Sequence, residues 1–122
     1  MLNLRPLDAA FPIERQLLAA ATPVVLVNLF TVGEADVPAR QVAWEKDANW
    51  MKRQPGFLST QLHRAIGGSH LFINYSGWES VEHFSTAFTH PDFVGALAAY
   101  PSSAVTQPPL FARGAVPNLC AA

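Results

Sequence analysis

Cysteine occurs only once in this sequence, at Cys120 near its end. A single cysteine excludes an intrachain disulfide, a CxxC redox motif and a thiolate metal cage. Charge is also sparse and balanced, because eight basic and nine acidic side chains leave a formal net charge of -1. The chain lacks the basic stripe, interleaved with aromatics, that follows a phosphate backbone. We therefore expect a cytoplasmic protein that does not bind nucleic acid.

Long apolar runs and the common cofactor motifs are missing as well. The stretch 17–30 is interrupted by Thr22, Pro23 and Asn28 and is shorter than the roughly 20 residues that span a bilayer. There is no GxGxxG, no P-loop and no pair of histidines with HExxH spacing, and no carboxylate cluster accompanies the four histidines. We expect no membrane partner, no nucleotide site and no metal site.

Half of the 122 residues are apolar, which suffices for the core of one domain. An N-terminal arm, 1–22, contains a candidate short helix at 13–21, a domain covers 23–113, and a tail follows at 114–122. The run 24–32 predicts a strand buried on both faces. A helix beginning near Pro38 has an apolar stripe and a polar opposite side, and Pro55 ends it at Gln54. The stripe comprises Val37, Trp44, Ala48 and Met51.

Two strands, 56–64 and 70–78, flank the pair Gly67–Gly68 and predict a hairpin. Helices are expected after Ser80 and after His90, and an edge strand at 103–111 follows. The order β-α-β-β-α-β predicts an α+β fold, a ferredoxin-like split βαβ protomer with an antiparallel sheet.

A hairpin symmetric about its two glycines would pair residues whose numbers sum to 135, the sum of 67 and 68. That register places Gln61 beside Asn74 and His63 beside Phe72, on one face that also carries Phe57 and Trp78. Two interpretations stand. The face lines a small-molecule cavity in which His63 takes a proton, or Gln61 and Asn74 satisfy each other within a core. Trp50, on the first long helix, belongs to a pocket wall or to an interface.

The strings QPGFLSTQLHR, NYSGWES and FTHPDF resemble the antibiotic biosynthesis monooxygenase family over about residues 24–113. The resemblance implies a dimeric α/β barrel, made of two ferredoxin-like protomers joined sheet to sheet. Members that act on anthrones and related phenols need neither metal nor flavin, because the deprotonated substrate itself passes an electron to O2. Their Asn-x-x-x-Trp pair falls on Asn74 and Trp78. The resemblance implies that Asn74 would orient the substrate oxygen or stabilise a peroxide, and that Trp78 would hydrogen-bond through its indole N–H.

Three branches of the family differ at identifiable positions. Anthrone-oxidising relatives carry a tyrosine where this chain has Phe84. The segments RPLDAAFPIERQ and AVPNLC look closer to angucycline ring-opening oxygenases, which use reduced flavin from a partner reductase. A haem-degrading branch would match Asn28 and Trp78, but its ligating histidine is replaced by Phe88, which disfavours haem cleavage.

Our leading hypothesis is therefore a homodimeric oxygenase of an aromatic polyketide, anthrone or quinol, with O2 as co-substrate and reduced flavin as an alternative requirement. The predicted catalytic residues are Asn74, Trp78 and His63. The predicted substrate-binding residues are Gln61, Phe57, Phe72, Phe84, Phe88, Trp50 and Asn28. The rival hypothesis is a non-catalytic dimer of the same fold that binds a hydrophobic ligand.

Overall fold

The computed structural model describes residues 1–121 and is an α+β structure. Its strands and helices follow the predicted order, with one additional strand in the N-terminal arm. The strands are β1 Asn3–Leu4, β2 Val24–Thr31, β3 Phe57–Arg64, β4 Leu71–Trp78, β5 Val105–Gln107 and β6 Leu110–Phe111. The helices are α1 Ile13–Gln16, α2 Val37–Met51, α3 Val81–Phe88 and α4 Pro91–Ala96, with short 3-10 turns at Glu34–Asp36 and Leu97–Ala99.

The strands form one open, six-stranded sheet in the order β1-β5-β2-β4-β3, and β6 also pairs with β2. The central pairs are antiparallel, whereas β1 runs parallel to β5 at the edge. The ferredoxin-like prediction is confirmed. The predicted last strand is divided into β5 and β6 because Pro108 and Pro109 lie between them and cannot donate to the ladder.

Strand β2 alternates in burial, contrary to the prediction that both of its faces are buried. Val24, Leu26 and Phe30 are buried on the face that the helices cover, whereas Val25 and Val27 are half-buried on the opposite face. We call this opposite side of the sheet the outer face. No helix within residues 1–121 is both long and apolar enough to cross a membrane.

The hairpin of β3 and β4 has a β-bulge, and the predicted register is wrong along most of its length. Phe57 does pair with Trp78, but the register shifts between Phe57 and Ser59. From there to the turn, paired residues have numbers that sum to 136, so the turn is centred on Gly68 alone. Because adjacent residues of a strand point to opposite faces, this shift moves each side chain of β3 beyond the bulge to the other face.

Helix α1 ends at Gln16, five residues before the predicted end at Ala21, whereas the other helices begin and end within a few residues of the predicted positions. The Ser80 hydroxyl accepts from the backbone N–H of His83 and caps α3, and the His90 ring caps α4 in the same way. After α2, the chain turns at Gly56 with a positive φ of 85°, a conformation that favours glycine. Helices α2, α3 and α4 then cover one face of the sheet.

Two apolar clusters form the core between the sheet and the helices. One surrounds Phe30, Phe72 and Tyr100, and the other surrounds Trp78 and Phe84. The clusters do not fill the space between them, and the candidate site lies there.

Candidate active site

A cavity that is partly open to solvent lies between the inner face of the sheet and the helices. Strands β2 to β5 form its floor, and α2, α3, α4 and the turn after α4 form its roof. Most of the lining is apolar and aromatic, and Leu2 and Leu4 of the N-terminal arm contribute to it. Such a cavity with a few polar groups is the usual form of a small-molecule site.

The floor carries a row of polar side chains across four neighbouring strands. Asn28 and Asn74 are directly paired across β2 and β4. The hydroxyl of Thr106 donates to the side-chain oxygen of Asn28. The hydroxyl of Thr60 donates to the side-chain oxygen of Asn74 at 2.6 Å. Because both amide oxygens are already engaged, the two NH2 groups remain as donors on the floor of the cavity.

Trp78 supplies a fixed aromatic wall at one end of this row. It is 1% exposed and meets Phe57 and Phe84 edge to face, with ring centroids 5.5 Å apart in each pair. Its indole N–H donates to the hydroxyl of Ser76 at 3.0 Å. The indole N–H is thus engaged within the protein, and the ring contributes shape and apolar surface to the cavity.

The roof contributes the only two titratable side chains among the described residues that line the cavity, Asp47 of α2 and Tyr100 after α4. Asp47 is 7% exposed. Burial raises the pKa of its carboxyl to about 6, and a hydrogen bond with Tyr100 partly opposes that rise. Burial also raises the pKa of the Tyr100 hydroxyl, and the negative charge of Asp47 adds to that effect.

Arg40 is fully buried behind the cavity, two turns before Asp47 on α2. Its guanidinium lies between the rings of Phe30 and Phe72, at 4.6 and 4.3 Å from their centroids. Burial lowers the pKa of this guanidinium. Within residues 1–121, its Nε and Nη2 atoms have no hydrogen-bond partner. The buried cation is therefore held by aromatic faces.

Six of the ten predicted site residues line the cavity. They are Asn74, Trp78, Phe57, Phe84, Phe88 and Asn28. Their predicted roles in catalysis and binding stay predictions. The sequence left open whether Asn74 bonds to Gln61 within a core or lines a cavity. Its side chain bonds to Thr60 and faces the cavity, and its cross-strand neighbour is Leu62 and not Gln61.

The other four predicted residues lie outside the cavity. The bulge puts Gln61 and His63 on the outer face, where both are exposed, so the expectation that they share the face of Asn74 is wrong. Phe72 is a core residue stacked on Arg40. Trp50 packs beside His90 and Phe93, since it lies away from the stripe of α2 that covers the sheet.

Sequence reasoning missed Asp47, Tyr100 and Arg40. Arg40 and Asp47 occupy the stripe of α2 that also contains Trp44 and Met51, at spacings of three and four residues. That spacing is the available signal. It does not by itself place charged side chains inside, because isolated charges are rarely buried. Tyr100 is equally compatible with packing alone.

The amino-acid chemistry of the cavity suits an organic substrate better than a metal. Within residues 1–121, no group of three His, Cys, Asp or Glu side chains is arranged to hold a metal ion. The polar groups that line the cavity are amides, hydroxyls, one carboxyl and one phenol. These can orient a flat ligand, donate to an oxyanion and accept a proton.

The family model of antibiotic biosynthesis monooxygenases matches residues 23–99. SnoaB, described as a cofactor-independent oxygenase from Streptomyces nogalater, has a similar crystal structure with a TM-score of 0.68 and 27% identity. The match covers 80% of this chain and 100% of SnoaB. No curated protein sequence matches the chain significantly.

Two further solved structures share the fold. A candidate monooxygenase from Shewanella loihica is 31% identical with a TM-score of 0.67, over 78% of this chain and 97% of that one. A candidate antibiotic biosynthesis monooxygenase from Deinococcus radiodurans is 12% identical with a TM-score of 0.68, over 80% of this chain and 99% of that one. The latter similarity concerns the fold alone.

Proposed function

Because the chain belongs to the antibiotic biosynthesis monooxygenase family, we propose that it inserts oxygen from O2 into an electron-rich aromatic substrate. The substrate class that fits is an anthrone, a quinol or a related phenolic polyketide. One observation carries this proposal: the paired amides of Asn28 and Asn74 present two neutral N–H donors on the floor of an aromatic cavity.

The proposed chemistry needs an anion to form and to be stabilised. A substrate such as an anthrone loses a proton from an activated CH2 group, and the carbanion reacts with O2 to give a peroxide anion. After protonation the hydroperoxide loses water, so CH2 and O2 become C=O and H2O. Fixed donors near the developing oxyanion lower the barrier, and loss of one such donor typically costs about 100- to 1000-fold in kcat.

The walls of the cavity support a flat aromatic substrate. Trp78 and Phe84 contact each other edge to face, and Phe84 stacks on Phe88 with centroids 5.2 Å apart. Aromatic surfaces of this kind favour ring stacking and edge-to-face contacts with a polycyclic ligand. Because the surrounding wall is apolar, water competes poorly for the amide donors.

We propose that the reaction needs neither a resident metal nor a bound flavin. SnoaB, one of the similar structures, is described as a cofactor-independent oxygenase. The oxidation of an anthrone carbanion by O2 takes its electrons from the substrate itself. A requirement for reduced flavin from a partner reductase is the alternative, and activity assays with and without reduced flavin distinguish the two.

We propose further that two copies associate through the outer face of the sheet. Leu58, Leu71 and Phe111 on this face are 55%, 40% and 48% exposed in the single chain, and half-buried Val27 and Ile73 lie between them. Several exposed apolar side chains on one face of a sheet commonly mark a protein interface. A second copy of this sheet would cover it with matching apolar residues.

Oxygen consumption by purified protein with an anthrone or a hydroquinone tests the proposed activity. We expect consumption above the rate of autoxidation, with one O2 used per substrate and no hydrogen peroxide released. Asn74→Ala should lower kcat/KM about 100-fold or more, because it removes a donor to the oxyanion. Asn49→Ala is the matched control, since Asn49 is an exposed amide on α2.

Activity that appears only with reduced flavin would support the flavin-dependent alternative. Tight binding of aromatic compounds without any oxygen consumption, with or without reduced flavin, would instead support the non-catalytic binding dimer. Equal activity of the Asn74→Ala and Asn49→Ala variants would remove the paired amides from the mechanism.

A further inference from the structure

We propose that the Asp47 carboxylate is the proton acceptor for the substrate, and that Tyr100 positions it. This inference rests on the proposed function and names the group that starts the reaction. It goes beyond the Asn-x-x-x-Trp pair, because Asp47 lies on α2, above the floor that carries the two asparagines.

The geometry first separates Asp47 from a purely structural carboxylate. A buried carboxylate normally has a cationic partner or several hydrogen-bond donors. Within residues 1–121, Asp47 makes no ion pair, because the only ion pairs there are those of His83 with Glu79 and His90 with Asp92. The Tyr100 hydroxyl lies near enough to this carboxyl to lower its pKa, which partly opposes the effect of burial. Since an ionised carboxylate has about four acceptor sites, most of them stay available in the cavity.

The surroundings also give this carboxylate a suitable basicity. Burial raises the pKa of Asp47 to about 6, so the group is largely ionised at neutral pH and is a better base than an exposed aspartate. The hydrogen bond from Tyr100 favours the ionised form. The raised basicity therefore follows from the buried location of the carboxyl, which the nearby Tyr100 hydroxyl partly opposes.

Few titratable or charged side chains lie near Asp47. Tyr100 faces it from the turn after α4, and Arg40 lies two helical turns away on its own element. The hydrogen-bonding side chains that the strands below add are amides, hydroxyls and the Trp78 indole, none of which is charged, and α3 and α4 contribute phenylalanines. The positive charge of Arg40 lowers the pKa of Tyr100, whereas the negative charge of Asp47 raises it.

In the proposed reaction, Asp47 takes a proton from the substrate and later returns it to the peroxide. The acidic C–H or O–H bond of the substrate breaks, the proton moves to a carboxylate oxygen of Asp47, and the electron pair stays on the substrate as a carbanion or phenolate. After O2 adds to a carbanion, the carboxylic acid returns the proton to the peroxide anion. Asp47 is then ionised again, and no external reductant is consumed.

The first test compares the variants Asp47→Asn and Glu45→Gln in the oxygen-consumption assay. Asparagine keeps the shape of the side chain but cannot take the proton, whereas Glu45 is the exposed acid of the same helix. We expect Asp47→Asn to lower kcat/KM about 100- to 10000-fold and to abolish the acidic limb of its pH profile. Glu45→Gln should keep the rate and the limb. Similar rates and profiles for the two variants would overturn the inference.

A binding experiment separates failure of this inference from failure of the oxygenase proposal. The probes are 2-naphthol, whose O–H can donate a hydrogen bond to Asp47, and its methyl ether 2-methoxynaphthalene, which has no O–H. We expect wild type and Glu45→Gln to prefer the naphthol about tenfold at pH 8 and less at pH 4.5, since hydrogen bonds to charged groups are the stronger ones. Asp47→Asn should lose this dependence on pH.

Oxygen consumption tests the oxygenase proposal, and the preference for naphthol tests the role of Asp47. Absence of turnover in the wild type contradicts the oxygenase proposal, whereas the naphthol preference still reports whether Asp47 accepts the substrate proton. A preference that is equal in wild type and Asp47→Asn at both pH values would overturn the role of Asp47. Tyr100→Phe supplies a further check, because loss of the positioning hydroxyl should shift the pH limb and leave KM nearly unchanged.

Discussion

Asn28 and Asn74 lie directly opposite each other on β2 and β4, and each has its side-chain oxygen held by a threonine of the next strand outward. Side chains in directly opposed positions have Cβ atoms about 4.5–5.5 Å apart. Two amide NH2 groups at that spacing can donate to one oxygen atom or to both oxygens of a peroxide. The threonines leave these NH2 groups as the available donors.

A double-mutant cycle on this pair measures whether the amides act on the same anion. We expect Asn28→Ala and Asn74→Ala each to lower kcat/KM about 100-fold. The double variant should lose less than the product of the two effects, because residues that act on one group are not additive. Additive effects in steady-state kinetics would mean that the two asparagines act independently.

Thr60→Val removes the hydroxyl that fixes Asn74 while keeping nearly the same volume. We expect kcat to fall and KM to change little, because the amide loses its orientation without loss of binding surface. The unfolding free energy should fall by about 1 kcal/mol, since the Asn74 oxygen loses its donor. Thr60→Ser restores a hydroxyl and should restore kcat. If it does not, the hydrogen bond is not what positions Asn74.

The buried carboxyl of Asp47 makes stability depend on pH in a direction that can be worked out. Its pKa is about 6 in the folded protein, against an ordinary value of 3.8 that applies to the unfolded chain. The folded state thus binds the proton more tightly, and its stability falls as pH rises from about 4 to 6. We expect Asp47→Asn to be more stable than wild type at pH 8, by roughly 1–3 kcal/mol.

Urea unfolding at pH 4 and pH 8 checks this prediction. The difference between Asp47→Asn and wild type should be small at pH 4, where the carboxyl is protonated in the folded protein. Glu45→Gln, on the exposed side of α2, should change the unfolding free energy little at either pH. A wild type that gains stability relative to Asp47→Asn between pH 4 and pH 6 would contradict the raised pKa of Asp47.

The outer face of the sheet gives a prediction about association. Ile73→Lys places a charge in the middle of this face and should shift a dimer towards monomer, because burying an unpaired ammonium is costly. Light scattering with size-exclusion chromatography measures the mass. Val42→Lys is the control, since Val42 is exposed on α2 and away from the sheet surface. A wild-type monomer, or an unchanged dimer for Ile73→Lys, would exclude this interface.

Hydrophobic period and turn chemistry predicted most of the fold. The run around Val24, the hairpin glycines and the cap at Ser80 all lead to elements found within a few residues of their predicted bounds. These signals are local, so the sequence contains them directly. The predicted pairing of Phe57 with Trp78 is also confirmed.

The placement of His63 and Gln61 was less predictable. From Ser59 to the turn, the pairing is shifted by one residue from the predicted register. The unpaired Leu58 compensates for this shift, so that Phe57 still pairs with Trp78. No residue type requires a bulge there, and a single shift exchanges the two faces. Burial of Arg40 and Asp47 depends on partners such as Phe30 and Tyr100 from distant parts of the chain, which a helical period does not reveal.

The central claim is that an oxygen atom of O2 enters an aromatic substrate bound above Asn74. Mass spectrometry of the product formed under ¹⁸O2 in ordinary water tests it most directly. We predict that wild-type protein yields product with one ¹⁸O atom per turnover, and that Asn74→Ala forms this product about 100-fold more slowly. Wild-type product whose new oxygen comes from water, or no product above autoxidation with or without reduced flavin, would contradict the account.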